Sequence, residues 1–228
     1  MKKRNWKKFL STFLASALAF SLVAPTVPQT VKAETVATDL IISEYVEGSG
    51  NNKAIELYNG TGTTVDLSSY TLALCSNGAS TTTSKVTLAG DLEHGHTYVL
   101  YNSGANEEIQ SKGDLVNNTV INFNGDDAIV LKNSEEVIDS FGQVGVRVMW
   151  AENITLVRQS SITTGDSNIS DDFDRNIEWN VLPQNDISNL GLHVMGGTPV
   201  DPVDPVDPVD TVDPVDPEPI LPISIAEA

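Results

Sequence analysis

Carboxylates are the residue type in this chain best placed to do chemistry, and two of them lie in neighbouring alternating segments. Glu44 lies in LIISEYV, and Glu56 lies in KAIELYN, just before Asn59. Alternation would place both carboxylates opposite the apolar neighbours of their strands, as a candidate acid and base. A glycosidase-like pair needs a cleft that shifts its pKa values, and these segments offer little evidence of one. We therefore expect Glu44, Glu56 and Asn59 to accept hydrogen bonds from turn amides.

Histidine and cysteine offer a second candidate, a zinc site. His94 and His96 would bring two imidazoles close together, and Cys75 and the remote His193 are the other soft ligands available. Zinc needs roughly three or four ligands held by supporting contacts. We expect instead that His94 and His96 form a polar turn before the strand HTYVL. Cys75, in YTLALCSN, is expected to be a small packing residue.

Two oxygen-rich loops are candidates for calcium, which takes about six to eight oxygen ligands. The first, Asn124-Gly125-Asp126-Asp127, is more typical of a hairpin turn than of a ligand set. The second loop, residues 166–174, alternates Asp, Asn and Ser but lacks the glycine and the terminal glutamate at the spacing of an EF-hand. Asx-turns and solvated charge are the alternative there. The candidate calcium ligands are Asp166, Asn168, Asp171, Asp172 and Asp174.

Further catalytic motifs are absent from the sequence. It contains no Gly-x-Ser-x-Gly elbow, no phosphate-cradling glycine loop with lysine, and no His-rich cluster. A nucleophile, a base and oxyanion donors are therefore not assembled. We predict no catalytic residues, and no cofactor other than the calcium considered above.

The charge balance argues against a nucleic-acid-binding surface. The chain has 13 Lys and Arg against 31 Asp and Glu, and six of the basic residues but no acidic one lie in residues 1–33. The rest of the chain therefore has 13 − 6 = 7 basic residues and a net charge of 7 − 31 = −24. Such a surface repels a polyanion. The seven basic residues are scattered along the sequence: Lys53, Lys85, Lys112, Lys132, Arg147, Arg158 and Arg175.

Short strands must position all of these residues. From Leu40 onward, segments with apolar residues at period two alternate with clusters of Gly, Asn, Ser and Asp. No segment has a sustained helical stripe, which indicates an all-β sandwich over residues 38–195. A polar stretch, residues 162–189, is expected to be a long loop containing a final edge strand, IEWNV. The other predicted strands are LIISEYV, KAIELYN, YTLALCS, SKVTLAG, HTYVLYN, TVINF, DAIVLKN, EVIDSFG and ITLVRQ.

The beginning of the chain is typical of export. Five of the first eight residues are basic, and an apolar run of 15 residues follows at 9–23. A membrane-spanning helix needs about 20 such residues. We therefore predict a signal peptide, residues 1–33, cleaved after Ala33, and a secreted, extracellular protein with cell-surface association left open. A retained membrane anchor is the alternative. With Cys75 as its one cysteine, the exported domain has no intrachain disulfide and depends on its core.

The end of the chain changes character near residue 196. Residues 196–219 are dominated by an Asp-Pro-Val repeat, in which proline removes backbone donors and fixes φ. We predict a disordered linker of polyproline II type with its aspartates along one edge, acting as a spacer. Residues 220–228 become apolar again and are interpreted as the start of a truncated second domain.

The motifs of the domain, taken together, resemble a known family. They are Ile-Ser-Glu-Tyr, the turn Glu-Gly-Ser-Gly-Asn-Asn-Lys, Ile-Glu-Leu-Tyr-Asn and Val-Asp-Leu-Ser-Ser-Tyr, followed in order by HTYVLYNSGA, NFNGDDAIVL and VIDSFGQVG. This order resembles the lamin-tail (LTD) domain of bacterial secreted proteins, over residues 38–195. One departure is that RVMWAEN joins ITLVR almost directly, where the family usually has a longer loop rich in Gly and Trp.

The resemblance implies an immunoglobulin-like β-sandwich. In bacteria such domains commonly stand at the N-terminus of extracellular nucleases, before OB-like and metal-dependent phosphodiesterase or nucleotidase domains. Residues 220–228 resemble the first strand of such an OB-like domain.

Three hypotheses about function follow. The first is a non-catalytic accessory module that binds a protein, an envelope surface or downstream domains, and does not bind nucleic acid or membrane directly. The second is an N-terminal fragment of a metal-dependent endonuclease or nucleotidase. The third is a calcium-stabilised surface adhesion protein.

Overall fold

Residues 36–196 are the part of the chain that the structure, a computed structural model, describes. The predicted signal peptide, all but the first residue of the predicted linker, and residues 220–228 lie outside them. Within residues 36–196, no helix is long and apolar enough to cross a membrane.

The strands of this region form two main sheets and one small one. The six-stranded sheet contains β1 (Ile41–Glu47), β2 (Lys53–Tyr58), β7 (Thr97–Tyr101), β8 (Leu115–Val116), β11 (Thr155–Arg158) and β12 (Trp179–Leu182). The four-stranded sheet contains β4 (Tyr70–Cys75), β5 (Ser84–Thr87), β9 (Ala128–Asn133) and β10 (Glu136–Phe141). A two-stranded ribbon pairs β3 (Val65–Asp66) with β6 (Asp91–Leu92). Two short α-helices, α1 (Glu107–Ser111) and α2 (Arg175–Glu178), and two single-turn 3₁₀ helices, Leu67–Ser69 and Ser76–Gly78, complete the described region.

The strand order is that of a sandwich. It runs β12-β11-β1-β2-β7-β8 in the larger sheet and β10-β9-β4-β5 in the smaller one, and every pair is antiparallel except β7–β8. Apolar side chains from both sheets meet in one core. Tyr45 of β1, for example, stacks on Phe141 of β10 with ring centroids 4.3 Å apart. The predicted all-β sandwich is therefore confirmed.

The larger sheet is covered on its second face as well. Every residue of β1 and β2 is buried, although alternation alone would leave one face in water. The cover is α1 together with the C-terminal strap, which we define as residues 183–193. Ile109 of α1 and Ile187 and Leu190 of the strap form a second apolar cluster with the strand residues Val46, Ala54 and Val99 and with Ala105 just before α1.

One predicted strand is wrong. Residues 119–123, TVINF, form a turn and an irregular segment, although Val120, Ile121 and Phe123 are buried in the main core. The reason is local, because the Asn117 side-chain oxygen accepts hydrogen bonds from the backbone N–H groups of Thr119 and Val120. These donors are therefore used within an Asx-turn and not in a strand ladder.

The predicted edge strand is confirmed. IEWNV supplies β12, which pairs with β11 at the edge of the larger sheet. The polar stretch before it is mostly irregular, as predicted, but contains the single-turn helix α2. Asp174 caps this helix by accepting a hydrogen bond from the N–H of Asn176.

Candidate functional site

The two predicted carboxylates face each other in the sheet. Glu44 of β1 and Glu56 of β2 are directly opposite in the antiparallel register, just after a β-bulge between Ile42 and Glu44. Both are almost fully buried, at 1% exposure each. The alternation that predicted a carboxylate pair on one face is therefore confirmed, and the pair lies beneath the C-terminal strap.

Glu44 is the more perturbed member of the pair. Burial, followed by the charges of Glu56 and Asp186, raises its pKa to about 9, and nearby Lys112 opposes the shift. Neither of its carboxyl oxygens has a hydrogen-bond partner among the described residues. Because burial outweighs the attraction of Lys112, the protonated form of Glu44 is favoured at neutral pH.

Glu56 is perturbed less because it has partners. Burial raises its pKa to about 7, opposed by hydrogen bonds. Its oxygens accept from the Ser43 hydroxyl at 2.6 Å and from the Gly191 N–H at 2.6 Å. The predicted hydrogen bonding to turn amides is wrong for Glu44, which has no such partner among the described residues. For Glu56 the amide comes from the strap and not from the turn at 50–53.

The carboxylate pair is therefore a feature that fixes the strap to the sheet. A general acid and base must reach a substrate, whereas Ile187, Leu190 and Gly191 of the strap cover this pair. Asn59, predicted beside it, holds the next turn together. Its side-chain oxygen accepts from the Thr61 N–H, and its amide donates to the Leu92 carbonyl at 2.7 Å.

The soft ligands are distributed over the domain and do not converge. His94 accepts a hydrogen bond from the Gly62 N–H, and His96 lies 3.9 Å from Glu93 in the turn before β7. The predicted polar turn is confirmed. His193 is buried against Tyr58 with ring centroids 4.8 Å apart, and burial lowers its pKa to about 4. Cys75 is buried at the end of β4 in the other sheet, and burial raises the pKa of its thiol.

Asp126 and Asp127 tie loops together. Asp127 accepts hydrogen bonds from the Asn77 N–H at 2.6 Å and the Asn124 N–H at 2.9 Å, and Asp126 pairs with Arg147 at 2.7 Å. The predicted hairpin turn is wrong, because residues 119–123 are not a strand and residues 125–126 form a bend before β9. Gly125 is required in this bend. It has a φ of +95°, and a Cβ there would lie 2.5 Å from the Glu152 nitrogen.

Four of the five predicted calcium ligands, Asp166, Asp171, Asp172 and Asp174, line one cavity of about 420 Å³ together with Glu178 and others. Asn168 is not in the lining. The Asp166 side chain accepts from the Asn168 N–H, and the Asn168 side chain accepts from the Ser170 N–H, which is the geometry of successive Asx-turns. Within residues 36–196, no group of three or more His, Cys, Asp or Glu residues is arranged to hold a metal ion. Calcium at this loop stays a prediction.

A buried ion pair was missed by the sequence reasoning. Arg158 of β11 donates to Asp139 of β10 at 2.8 Å, and both side chains are fully buried. Asp139 also accepts from the backbone N–H groups of Ile42 and Asp166. The Arg158 guanidinium lies 4.7 Å from the Trp179 ring. The sequence does show Asp139 and Arg158 within otherwise apolar strand segments. Their pairing, however, depends on how the two sheets pack against each other.

Comparison with known proteins finds one match. The family model described as Lamin Tail Domain matches residues 33–145, which contain β1 to β10. No curated protein and no solved structure matches the chain. The lamin tail domain is a non-catalytic domain, and the immunoglobulin-like sandwich agrees with it. The fold continues past the match, since β11 and β12 complete the larger sheet. The chain therefore contains a lamin tail domain, a β-sandwich of the accessory or binding type.

Proposed function

We propose that this chain is the N-terminal accessory module of a secreted bacterial nuclease, where it positions the enzyme through contacts with a protein partner, the cell envelope or neighbouring domains. The lamin tail domain match is the observation that carries this proposal. The sequence supports it at both ends, with an export-like start and an acidic Asp-Pro-Val repeat after the sandwich.

The geometry of the carboxylates favours a non-catalytic role. Glu44 and Glu56 are the paired acidic groups with raised pKa values, a feature often found in active sites. Here both are sealed beneath the C-terminal strap, and the Glu56 oxygens already accept hydrogen bonds from Ser43 and Gly191. Their perturbation therefore comes from burial within the fold.

A nuclease assay tests the non-catalytic role. Purified residues 34–228 are incubated with DNA or RNA in the presence of Mg²⁺, Mn²⁺ or Ca²⁺, and no degradation is expected. The double variant Glu44→Gln, Glu56→Gln serves as the matched control, because cleavage that survives in it does not depend on this carboxylate pair. Metal-dependent nicking that follows the wild-type protein through purification and disappears in the double variant would contradict the proposal.

A second experiment tests the nuclease context separately. The genomic DNA beyond the codon for Ala228 is sequenced. A nuclease or nucleotidase domain, in frame or displaced by a frameshift, supports the proposed parent. An unrelated gene removes the parent enzyme but leaves the binding module in place.

A calcium-stabilised adhesion protein is a second candidate, favoured by the four aspartates that line one cavity. A cation that binds only the folded chain must raise the melting temperature. Melting of residues 34–228 in calcium and in EDTA tests this role, with the variant Asp171→Asn, Asp172→Asn as the control. A calcium-dependent rise that the variant lacks supports adhesion, and equal melting temperatures contradict it.

A further inference from the structure

Two of the basic residues, which are far apart in sequence, lie on the same outer face of the four-stranded sheet. In the strand register, Lys132 of β9 lies opposite Thr71, and Lys85 of β5 lies opposite Ala73. Thr71 and Ala73 are two residues apart on β4, so all four side chains share one face. The lysines therefore flank the central strand from its two sides.

These two lysines differ from the other basic residues of the described chain. The other five are already engaged by a carboxylate or a backbone carbonyl: Lys53 with Glu47, Lys112 with Leu190, Arg147 with Asp126, Arg158 with Asp139, and Arg175 with Trp150. Within residues 36–196, neither Lys85 nor Lys132 makes a hydrogen bond or an ion pair through its side chain. The two free ammonium groups of this region thus line the same depression.

The depression has the size and lining of a small-ligand site. It is a cavity of about 420 Å³ lined by both lysines, by the hydroxyl side chains of Thr71, Ser84 and Ser134, and by the carboxylate of Glu135. An adjoining cavity of about 250 Å³ shares Lys132 and Thr82, and its other lining residues are Cys75, Ser80, Thr81, Val130, Val144 and Ile169. The two cavities together form a trough whose first part is cationic and rich in donors, and whose second part adds the apolar side chains of Val130, Val144 and Ile169.

Protection of a sheet edge does not account for both lysines. A lysine on an edge strand commonly prevents pairing with another chain, and Lys85 on β5 fits that role. Lys132, however, lies on β9, which is paired on both sides by β4 and β10. Edge protection therefore does not explain Lys132, whose ammonium group is available to a ligand.

We propose that this trough is a binding site for a soluble phosphate ester, with the phosphate between Lys85 and Lys132 and an apolar substituent in the adjoining cavity. Lysine is a compact point charge well suited to phosphate, and hydroxyl groups add donors. The net charge of the domain is strongly negative, but at about 0.1 M ionic strength screening limits the effect of distant carboxylates to about 10 Å. Within the lining, two lysines face the single carboxylate of Glu135, so the local charge is positive.

An NMR titration tests the site. Residues 34–228, which include one compact unit, are labelled with ¹⁵N and titrated with phenyl phosphate, inorganic phosphate and sodium acetate at constant ionic strength. Backbone amides of β4, β5 and β9 should shift with phenyl phosphate, more weakly with phosphate, and little with acetate. Lys85→Gln and Lys132→Gln should each weaken binding about tenfold, and the double variant should abolish it.

Two further variants separate a local site from general charge. Lys112→Gln removes the same charge from the cover of the other sheet and should leave the dissociation constant unchanged. Glu135→Gln removes the carboxylate of the lining and should strengthen binding by about twofold. All variants are compared by their amide spectra, so that an unfolded variant is recognised and replaced by the corresponding Lys→Met.

Several outcomes would overturn the proposal. They are no shift with either phosphate, equal weakening by Lys112→Gln, or acetate binding as tightly as phenyl phosphate. Capture of the protein by phosphatidylglycerol vesicles without binding of the soluble esters would also overturn it.

Discussion

At the scale of single residues, the buried carboxyl groups and the buried histidine have opposite effects on how the free energy of unfolding changes with pH. The pKa of Glu44 is raised to about 9 and that of Glu56 to about 7, against an ordinary value of 4.5. The stability that these groups contribute is complete below pH 4.5 and is lost as pH rises toward their folded pKa values, because the unfolded chain releases protons that the folded chain keeps. The pKa of His193 is lowered from 6.5 to about 4, so its contribution is lost as pH falls through that window. The domain should be most stable in mildly acidic solution.

The substitution Glu44→Gln tests this account. Glutamine keeps the shape of the protonated carboxyl but has no proton to lose. We expect it to raise the free energy of unfolding by on the order of 2 kcal/mol near pH 8 and by little near pH 4. Urea unfolding at several pH values measures the difference.

The matched control is Glu135→Gln, which makes the same change at an exposed position between β9 and β10. It should follow the wild-type pH profile. Equal stability of Glu44→Gln and the wild type at pH 8 would show that Glu44 is ionised and solvated in the folded protein.

At the scale of elements, the irregular segment 119–123 contributes side chains to the main core as a strand would, although it is not paired in a sheet. Its Phe123 ring lies 4.5 Å from the Tyr45 ring and is fully buried. We expect Phe123→Ala to cost about 3 to 5 kcal/mol, because it removes a large side chain and leaves a cavity in the core. Urea unfolding compares it with Val116→Ala at the neighbouring strand β8, where the side chain is half exposed and the cost should be below about 1 kcal/mol. Similar losses in both variants would contradict the role of the segment.

The elements also show how far the sequence alone could predict the structure. Period-two alternation was enough for β1, β2, β4 and β9, and it placed Glu44 and Glu56 on one face. It failed at residues 119–123, where the single side chain of Asn117 redirects the backbone donors.

The parts of the site that alternation missed depend on contacts distant in sequence. Burial raises the pKa values of the carboxylate pair, and the Gly191 N–H that opposes the shift of Glu56 lies 135 residues further along the chain. Strand order and register, which composition does not reveal, determine two further features. They are the ion pair of Asp139 with Arg158 and the placement of Lys85 and Lys132 on one face of the smaller sheet.

At the scale of the whole molecule, the excess of acidic residues dominates the electrostatics. Residues 34–228 have a net charge of 7 − 31 = −24, and most of their basic groups already contact a carboxylate or a carbonyl. Few positive charges remain to offset the repulsion between exposed aspartates and glutamates. Self-repulsion of this kind destabilises a compact state.

Screening by salt should therefore stabilise the domain. Raising NaCl from about 20 mM to about 500 mM shortens the screening length from roughly 20 Å to roughly 4 Å. We expect the melting temperature to rise by about 3 °C or more, since about 1 kcal/mol corresponds to such a shift in a domain of this size. Sucrose at equal osmolality is the control for stabilisation unrelated to charge. A melting temperature that falls with NaCl would mean that attractive pairs such as Arg158 with Asp139 outweigh the repulsion, because salt weakens both and only the larger effect sets the sign.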